Sequence, residues 1–249
     1  MKIKKYKKST KGRYKVELEN DEIMTLYEDT ILKYNLLLTK DIPDDKRLEI
    51  NLYNQECEVY QVALDSIKAR YKSIKELKLF LLRKEYPEDL IDKVVKKLQE
   101  QGYLNDSLFC KSYINNQILT TNRGPYKIRN LLLEKGIDED IINEEITVFT
   151  EDIEREKINK LIVKYQKTNH NKGGVVLKQK IYNEIKNLGY SIELLNDVIN
   201  TYSFENNKEI AKKEYEKLYN KYSRKYSGYE LERIIKEKLF KKGLKYEEE

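Results

Sequence analysis

The chain has 249 residues, 37% charged and 39% hydrophobic, with nine glycines and three prolines, a composition that favours long solvated helices over a sheet-rich fold. No stretch approaches the roughly 20 apolar residues that span a bilayer, and the basic start Met1 to Arg13 leads into no signal-peptide core, so a cytoplasmic protein is expected. Two cysteines, Cys57 and Cys110, and one histidine, His170, exclude a disulfide framework and a paired zinc site.

The net charge of +6 is unevenly placed. Lys2, Lys4, Lys5, Lys7, Lys8, Lys11 and Arg13 crowd the first 13 residues without an acid, leaving the body close to neutral. Such a segment suits phosphate backbones or an acidic protein surface, or is a solvated, partly frayed end.

In chain order, Tyr14, Val16 and Leu18 alternate with Lys15, Glu17 and Glu19, the period of a half-buried strand. Asn20-Asp21 reads as a turn, and Ile23 to Tyr27 pairs back to give a small antiparallel sheet. Thr30 to Leu38 is expected to pack a short helix on it. Asp41-Ile-Pro-Asp-Asp45 closes this module: Pro43 restricts Ile42 to extended conformations, and the aspartates favour capping the next helix.

From residue 46 the apolar spacing becomes helical, and an internal repeat decides the architecture. Lys84-Glu85-Tyr86, Lys135-Gly136-Ile137, Leu188-Gly189-Tyr190 and Lys242-Gly243-Leu244 recur at intervals of 51, 53 and 54 residues. The pairs Leu77 and Leu81, Ile128 and Leu132, Ile181 and Ile185, and Ile235 and Leu239 precede these ends in one register. After each of the first three ends come Leu90, Ile91, Val95 and Leu98, then Ile141, Ile142, Ile146 and Phe149, then Leu194, Leu195, Ile199 and Tyr202. Ser73-x-x-Glu76 and Ser227-x-x-Glu230 match capping boxes, Gly124-Pro125 opens the equivalent helix of the second unit, and Gly136, Gly189 and Gly243 stand where a helix end needs a left-handed residue. The expected divisions are 1–45, a β-rich module; 46–105, 106–150 and 151–204, three-helix repeats; and 205–249, a partial repeat. Because each repeat alone has a small apolar face, neighbours are expected to stack into an elongated, curved array.

Catalytic chemistry finds no support. Gly173-Gly174 lacks the spacing and lysine of a phosphate-cradling loop, neither cysteine has a nucleophile's context, and the carboxylates fall on predicted solvated helix faces. Both cysteines are expected to be buried, and His170 to lie in a loop. No enzyme activity, metal or cofactor is expected.

The segment Ala63 to Ile142 carries the most specific pattern. Arg70-Tyr71-Lys72-Ser73 leads into Glu76-Leu77; Gly102-Tyr103-Leu104-Asn105-Asp106 precedes Phe109; Arg123-Gly124 and Lys127-Ile128-Arg129 lead to Leu132-Leu133-Glu134-Lys135-Gly136-Ile137. This order and spacing resemble the RecX family, with Asn105 in place of the first aspartate of the turn and Cys110 in place of an alanine. The resemblance is close over the first two repeats and weaker over the last two. It implies a non-enzymatic regulator of homologous recombination, DNA repair and the SOS response, which binds the RecA filament on single-stranded DNA and mostly inhibits it.

Gly102 to Asp106 has a structural reading: Gly102 ends a helix, Tyr103 and Leu104 staple the turn, and Asp106 caps the helix after it. The cations Arg70, Lys72, Arg123, Lys127 and Arg129, beside equivalent helix starts, are candidate contacts to RecA or DNA phosphate. So are Lys221, Arg224 and Lys225, interleaved with Tyr215, Tyr219, Tyr222, Tyr226 and Tyr229 in a pattern suited to an interface or to base stacking. A second reading remains open, a helical module that binds DNA or RNA directly without RecA. A monomer is expected, away from membranes.

Overall fold

The structure, a computed structural model, describes all residues except 11, 170–171, 205–207 and 247–249. His170, expected in a loop, lies outside the described residues. The fold is mainly helical with a small sheet at its start. Three strands, β1 (Ile3–Lys8), β2 (Arg13–Leu18) and β3 (Ile23–Tyr27), form an antiparallel sheet in that order. Then come α1 (Glu28–Lys33), α2 (Leu36–Thr39), a 3-10 turn Asp44–Lys46, and α3 (Arg47–Ala69), α4 (Ile74–Leu82) and α5 (Glu88–Glu100). The chain continues with α6 (Asp106–Thr120), α7 (Pro125–Glu134), α8 (Glu139–Glu145), α9 (Glu151–Thr168), α10 (Gly174–Asn187), α11 (Ile192–Asn200), α12 (Lys208–Tyr222) and α13 (Gly228–Lys241). Two compact units are distinguished, Met1–Phe109 with Lys135–Ile137, and Cys110–Glu134 with Asp138–Glu249.

The hairpin of β2 and β3 forms as its alternation predicts, with Val16 opposite Met24. Asp21 at the turn takes a positive φ of 62°. Strand β1 corrects the reading of a frayed basic end. Its lysines hide a strand in which Ile3 and half-buried Tyr6 face inward, opposite Leu18 and Val16, although they are three residues apart, because the register shifts between Ile3 and Lys5. The terminal amino group is fixed by Asp41 at 3.0 Å and the Ile42 carbonyl at 2.7 Å. Ile3, Val16, Leu18, Leu26, Ile31, Leu36, Ile42 and Ile50 form one core. Instead of one helix over Thr30 to Leu38 there are two, because Asn35 adopts a left-handed conformation between them.

Helix α3 serves two cores. Its Ile50 completes the β module, while Val59, Ala63 and Ile67 pack with Leu77, Leu81, Ile91, Val94, Val95 and Leu98 from α4 and α5. At 23 residues it spans about 35 Å, long enough to reach both. The aspartates before it do not cap it: Lys46 occupies the cap position without a side-chain bond, and Asp44 and Asp45 lie in the 3-10 turn.

All eight aliphatic residues of the repeat register, from Leu77 and Leu81 to Ile235 and Leu239, are buried. Each such side chain contributes on the order of 1.5–3 kcal/mol of burial free energy. Gly136, Gly189 and Gly243 have φ of 77°, 85° and 70°, and in the first repeat Glu85 takes the same conformation at 62° despite its Cβ. Ser73 and Glu76 form the expected capping box. Ser227 does not: its side chain makes no cap bond. Cys57 and Cys110 are both buried.

Candidate functional site

The helix starts that carry the candidate cations are built by a joint that recurs between repeats. A helix N-terminus exposes unpaired N–H groups, and a helix C-terminus exposes unpaired carbonyls. Stacking one on the other satisfies both and aligns their dipoles.

At the start of α4, Ser73 Oγ donates to the Lys135 carbonyl at 2.7 Å and accepts from the Glu76 amide at 3.1 Å. The Glu76 carboxylate accepts from the Ser73 amide and pairs with Lys135 Nζ at 2.5 Å and with Arg70 at 3.3 Å. Burial opposes ionisation of Glu76, but the Lys135 ammonium, the Ser73 amide and Arg70 outweigh it, and the carboxyl is held below its ordinary value. The Asp106 carboxylate accepts from the Ile74 amide at 2.9 Å. Helix α6 is capped by Asn105, whose Oδ1 accepts from the Leu108 amide at 3.0 Å. Asp106 therefore caps α4 rather than its own helix. The three segments that carry the resemblance, around Ser73, Asp106 and Gly136, meet at this point, so these motif residues are structural.

At the start of α7, the Gly124 amide donates to the Leu188 carbonyl at 2.8 Å and the Tyr126 amide to the Gly189 carbonyl at 3.0 Å. A Cβ on Gly124 would lie 2.4 Å from the Gly189 oxygen. Buried Tyr190 donates its hydroxyl to the Asn122 carbonyl at 3.0 Å, and burial pushes its phenol well above the ordinary value. Glu154 accepts from the Ser191 amide at 2.6 Å; burial dominates and raises its carboxyl. At the start of α10, the Gly173 amide donates to the Lys242 carbonyl at 3.0 Å, and Glu214 of α12 pairs with Lys242. The first joint thus uses a serine hydroxyl where the other two use a glycine amide. A serine Cβ prevents so close a backbone approach, and its hydroxyl bridges the wider gap.

The candidate cations divide by what already holds them. Arg70 is exposed and pairs with Glu76; Lys72 sits 5.6 Å from the centre of the Phe80 ring, within cation–π range. Arg123 donates to buried Gln117 at 2.7 Å. Arg129 is clamped by Glu139 and Asn143. Lys127 is exposed, its backbone and Cβ forming the floor against which Gly189 packs. Lys221 lies over the Tyr222 ring at 5.5 Å, and Arg224 and Lys225 are exposed between α12 and α13. Arg70 and Lys72 belong to one compact unit and the other six to the second.

The tyrosines of the last repeat correct the sequence reading. Tyr215, Tyr222, Tyr226 and Tyr246 pack against Ala211, Leu218, Leu231, Ile235, Leu239 and Leu244, with the Tyr215 and Tyr246 rings 4.7 Å apart. Only Tyr219 and Tyr229 of the five interleaved tyrosines are exposed. Sequence reasoning gave Asp106 the wrong helix to cap and did not single out Glu154 and Glu214 as half-buried or buried acceptors. Asp106 and Glu154 stand in the first turns of their own helices, which gives no local sign of which other helix they will meet, and Glu214 stands mid-helix in α12, where nothing local points to Lys242. Among the described residues no group of three or more His, Cys, Asp or Glu side chains is placed to hold a metal, and no helix is long and apolar enough to cross a membrane.

Comparison with known proteins picks out the same segments. The RecX first three-helix domain matches residues 60–98 and the RecX second three-helix domain matches residues 105–145. Regulatory protein RecX of Streptococcus sanguinis (strain SK36) is 31% identical over 248 residues, covering 98% of this chain and 95% of its own. Its counterpart in Streptococcus agalactiae serotype Ia is 30% identical over 253 residues, covering 100% and 96%. A crystal structure of regulatory protein RecX superposes with a TM-score of 0.68 at 24% identity, covering 80% of this chain and 98% of that one. That of RecX from Lactobacillus salivarius gives 0.56 at 24% identity, covering 59% and 95%. At this identity the two structures establish the fold alone.

Proposed function

The chain belongs to the RecX family of regulatory proteins, and on that premise we propose that it binds the RecA filament on single-stranded DNA and lowers its recombinase and ATPase activity. The observation that carries this reading is the near-full-length likeness to proteins named as regulators, in a chain whose motif carboxylates and hydroxyl are spent on helix joints. A regulator of this kind needs no reaction of its own. It acts by occupying surface, and several modest contacts on one chain add through effective concentration.

The proposed contacts are drawn from the candidate cations Arg70, Lys72, Arg123, Lys127, Arg129, Lys221, Arg224 and Lys225. Within it, exposed Arg70, Lys127, Lys221, Arg224 and Lys225 meet acidic filament surface or DNA phosphate, while Arg123 and Arg129 hold their own repeat through Gln117, Glu139 and Asn143. The divisions at 1–45, 46–105, 106–150, 151–204 and 205–249, a monomeric state and a cytoplasmic place of action belong to the same proposal.

Co-sedimentation tests it. Preformed RecA filaments on single-stranded DNA should carry the protein into the pellet at concentrations at which the same DNA without RecA does not. Equal recovery with naked DNA would support the second reading, a module that binds nucleic acid directly, and no recovery with either would refute both.

A further inference from the structure

We propose that the outer face of the three-stranded sheet is a binding surface for the phosphate backbone of single-stranded DNA, contacted by Lys5, Lys7 and Lys15. The inner face is committed to the core through Val16, Leu18 and Leu26. On the outer face, Lys7 on β1 stands directly opposite Lys15 on β2, and Lys15 opposite Thr25 on β3. Lys5, Lys7, Lys15, Ile23 and Thr25 are all exposed.

The charge on this face is not neutralised from within. Glu17, the acid opposite Lys5, is taken by Lys4 at 3.0 Å, and Lys4 also pairs with Asp21 at 3.0 Å. Among the described residues, Lys5, Lys7 and Lys15 have no ion-pair partner. Directly opposed like charges destabilise a sheet, so the Lys7 and Lys15 pair works against the fold that carries it. Lysines on an open edge strand ordinarily guard against edge-to-edge pairing. That accounts for Lys5 and Lys7 on β1, but not for Lys15, which sits on the central strand.

A polyanion relieves the repulsion, and the geometry favours a strand of nucleic acid. Lys5 and Lys7 are two residues apart on one strand, about 6.6 Å, and Lys15 stands beside Lys7 on the next strand. Two ammonium groups along β1 with a third beside them suit successive phosphates of an extended single strand, whose binding releases condensed counterions. This inference stands apart from the filament reading, and its test contains no recombinase.

The full-length chain is titrated onto a fluorescein-labelled oligothymidylate across a range of sodium chloride concentrations, and the slope of log affinity against log salt is read. The variant K5Q/K7Q/K15Q is compared with K68Q/K96Q/K111Q, which removes the same charge from exposed helical positions. Each phosphate contact on a single strand contributes about 0.7 to the slope, so loss of three lowers it by about 2 and weakens low-salt binding by about ten-fold or more. The helical variant keeps the parent slope. Should the triple variant fail to fold, K15Q alone, which removes a repulsion, lowers the slope by about 0.7. An unchanged slope overturns the inference, as does an equal fall in the helical variant, absence of parent binding at low salt, or tighter binding to polyglutamate than to DNA.

Discussion

Gly189 lies so close to Lys127 that a Cβ on it would fall 2.5 Å from the Lys127 amide nitrogen. With the Gly124 and Tyr126 amide bonds to the Leu188 and Gly189 carbonyls, that approach holds the end of α10 on the start of α7, and it requires the left-handed φ of 85° as well as the missing side chain. Gly189→Ala is therefore expected to cost more than about 2 kcal/mol, strain and overpacking together. Gly102→Ala is the comparison. Its φ is also positive, at 74°, but a Cβ there meets nothing within 4 Å, so only the conformational cost of roughly 1–2 kcal/mol applies. Urea denaturation of the two variants separates close approach from backbone strain.

Two serines that look alike in sequence should behave differently. Ser73→Ala removes a donor to Lys135 and an acceptor for Glu76 at a fully buried position, and is expected to cost about 1–3 kcal/mol. Ser227→Ala removes a hydroxyl with no cap bond and should stay within about 0.5 kcal/mol of the parent. Thermal melts of both variants check the contrast.

The two glutamates at the joints give opposite pH dependence. Glu76, held below its ordinary value of 4.5, contributes stability that is present above that value and is lost as pH falls through the lower folded value. Glu76→Gln should flatten this acid limb. Glu154, raised above 4.5 by burial, costs stability at neutral pH, and the cost is relieved as pH falls through its raised value. Glu154→Gln keeps an oxygen for the Ser191 amide and removes the desolvated charge. It is expected to raise stability at pH 7 and to change it little at pH 3 to 4, as read by denaturant midpoints across that range.

Much of the architecture was legible because it rests on local periodicity. The positions of Leu77, Ile128, Ile181 and Ile235 relative to their helix ends repeat in the sequence, and burial tracks them. The hidden part is non-local. The pairing of Ser73 with Lys135, 62 residues apart, has no signature in either segment, and the target of Asp106 depends on tertiary placement. Strand β1 was obscured because Lys4, Lys5, Lys7 and Lys8 leave only Ile3 and Tyr6 facing the core, and the register shift between Ile3 and Lys5 puts these three residues apart, out of a strand's alternation. The tyrosines of α12 misled in the other direction: their basic neighbours suggested a surface, yet Tyr215 and Tyr222 face a small core that needs bulky side chains to close it.

Charge reversal separates contact residues from holding residues. K221E/R224E/K225E changes exposed side chains outside the core and should weaken recovery with RecA filaments while leaving stability within about 0.5 kcal/mol. Arg129→Glu breaks the clamp with Glu139 and Asn143 and places like charges together, so it should lower the melting temperature. Co-sedimentation and melting, measured on the same preparations, distinguish the two.

Filament regulation is tested by single-stranded-DNA-dependent ATP hydrolysis by the cognate RecA with this protein titrated in. A regulator of the filament produces a progressive fall in hydrolysis at protein concentrations too low to coat the DNA. Undiminished hydrolysis at concentrations that saturate naked DNA would contradict it.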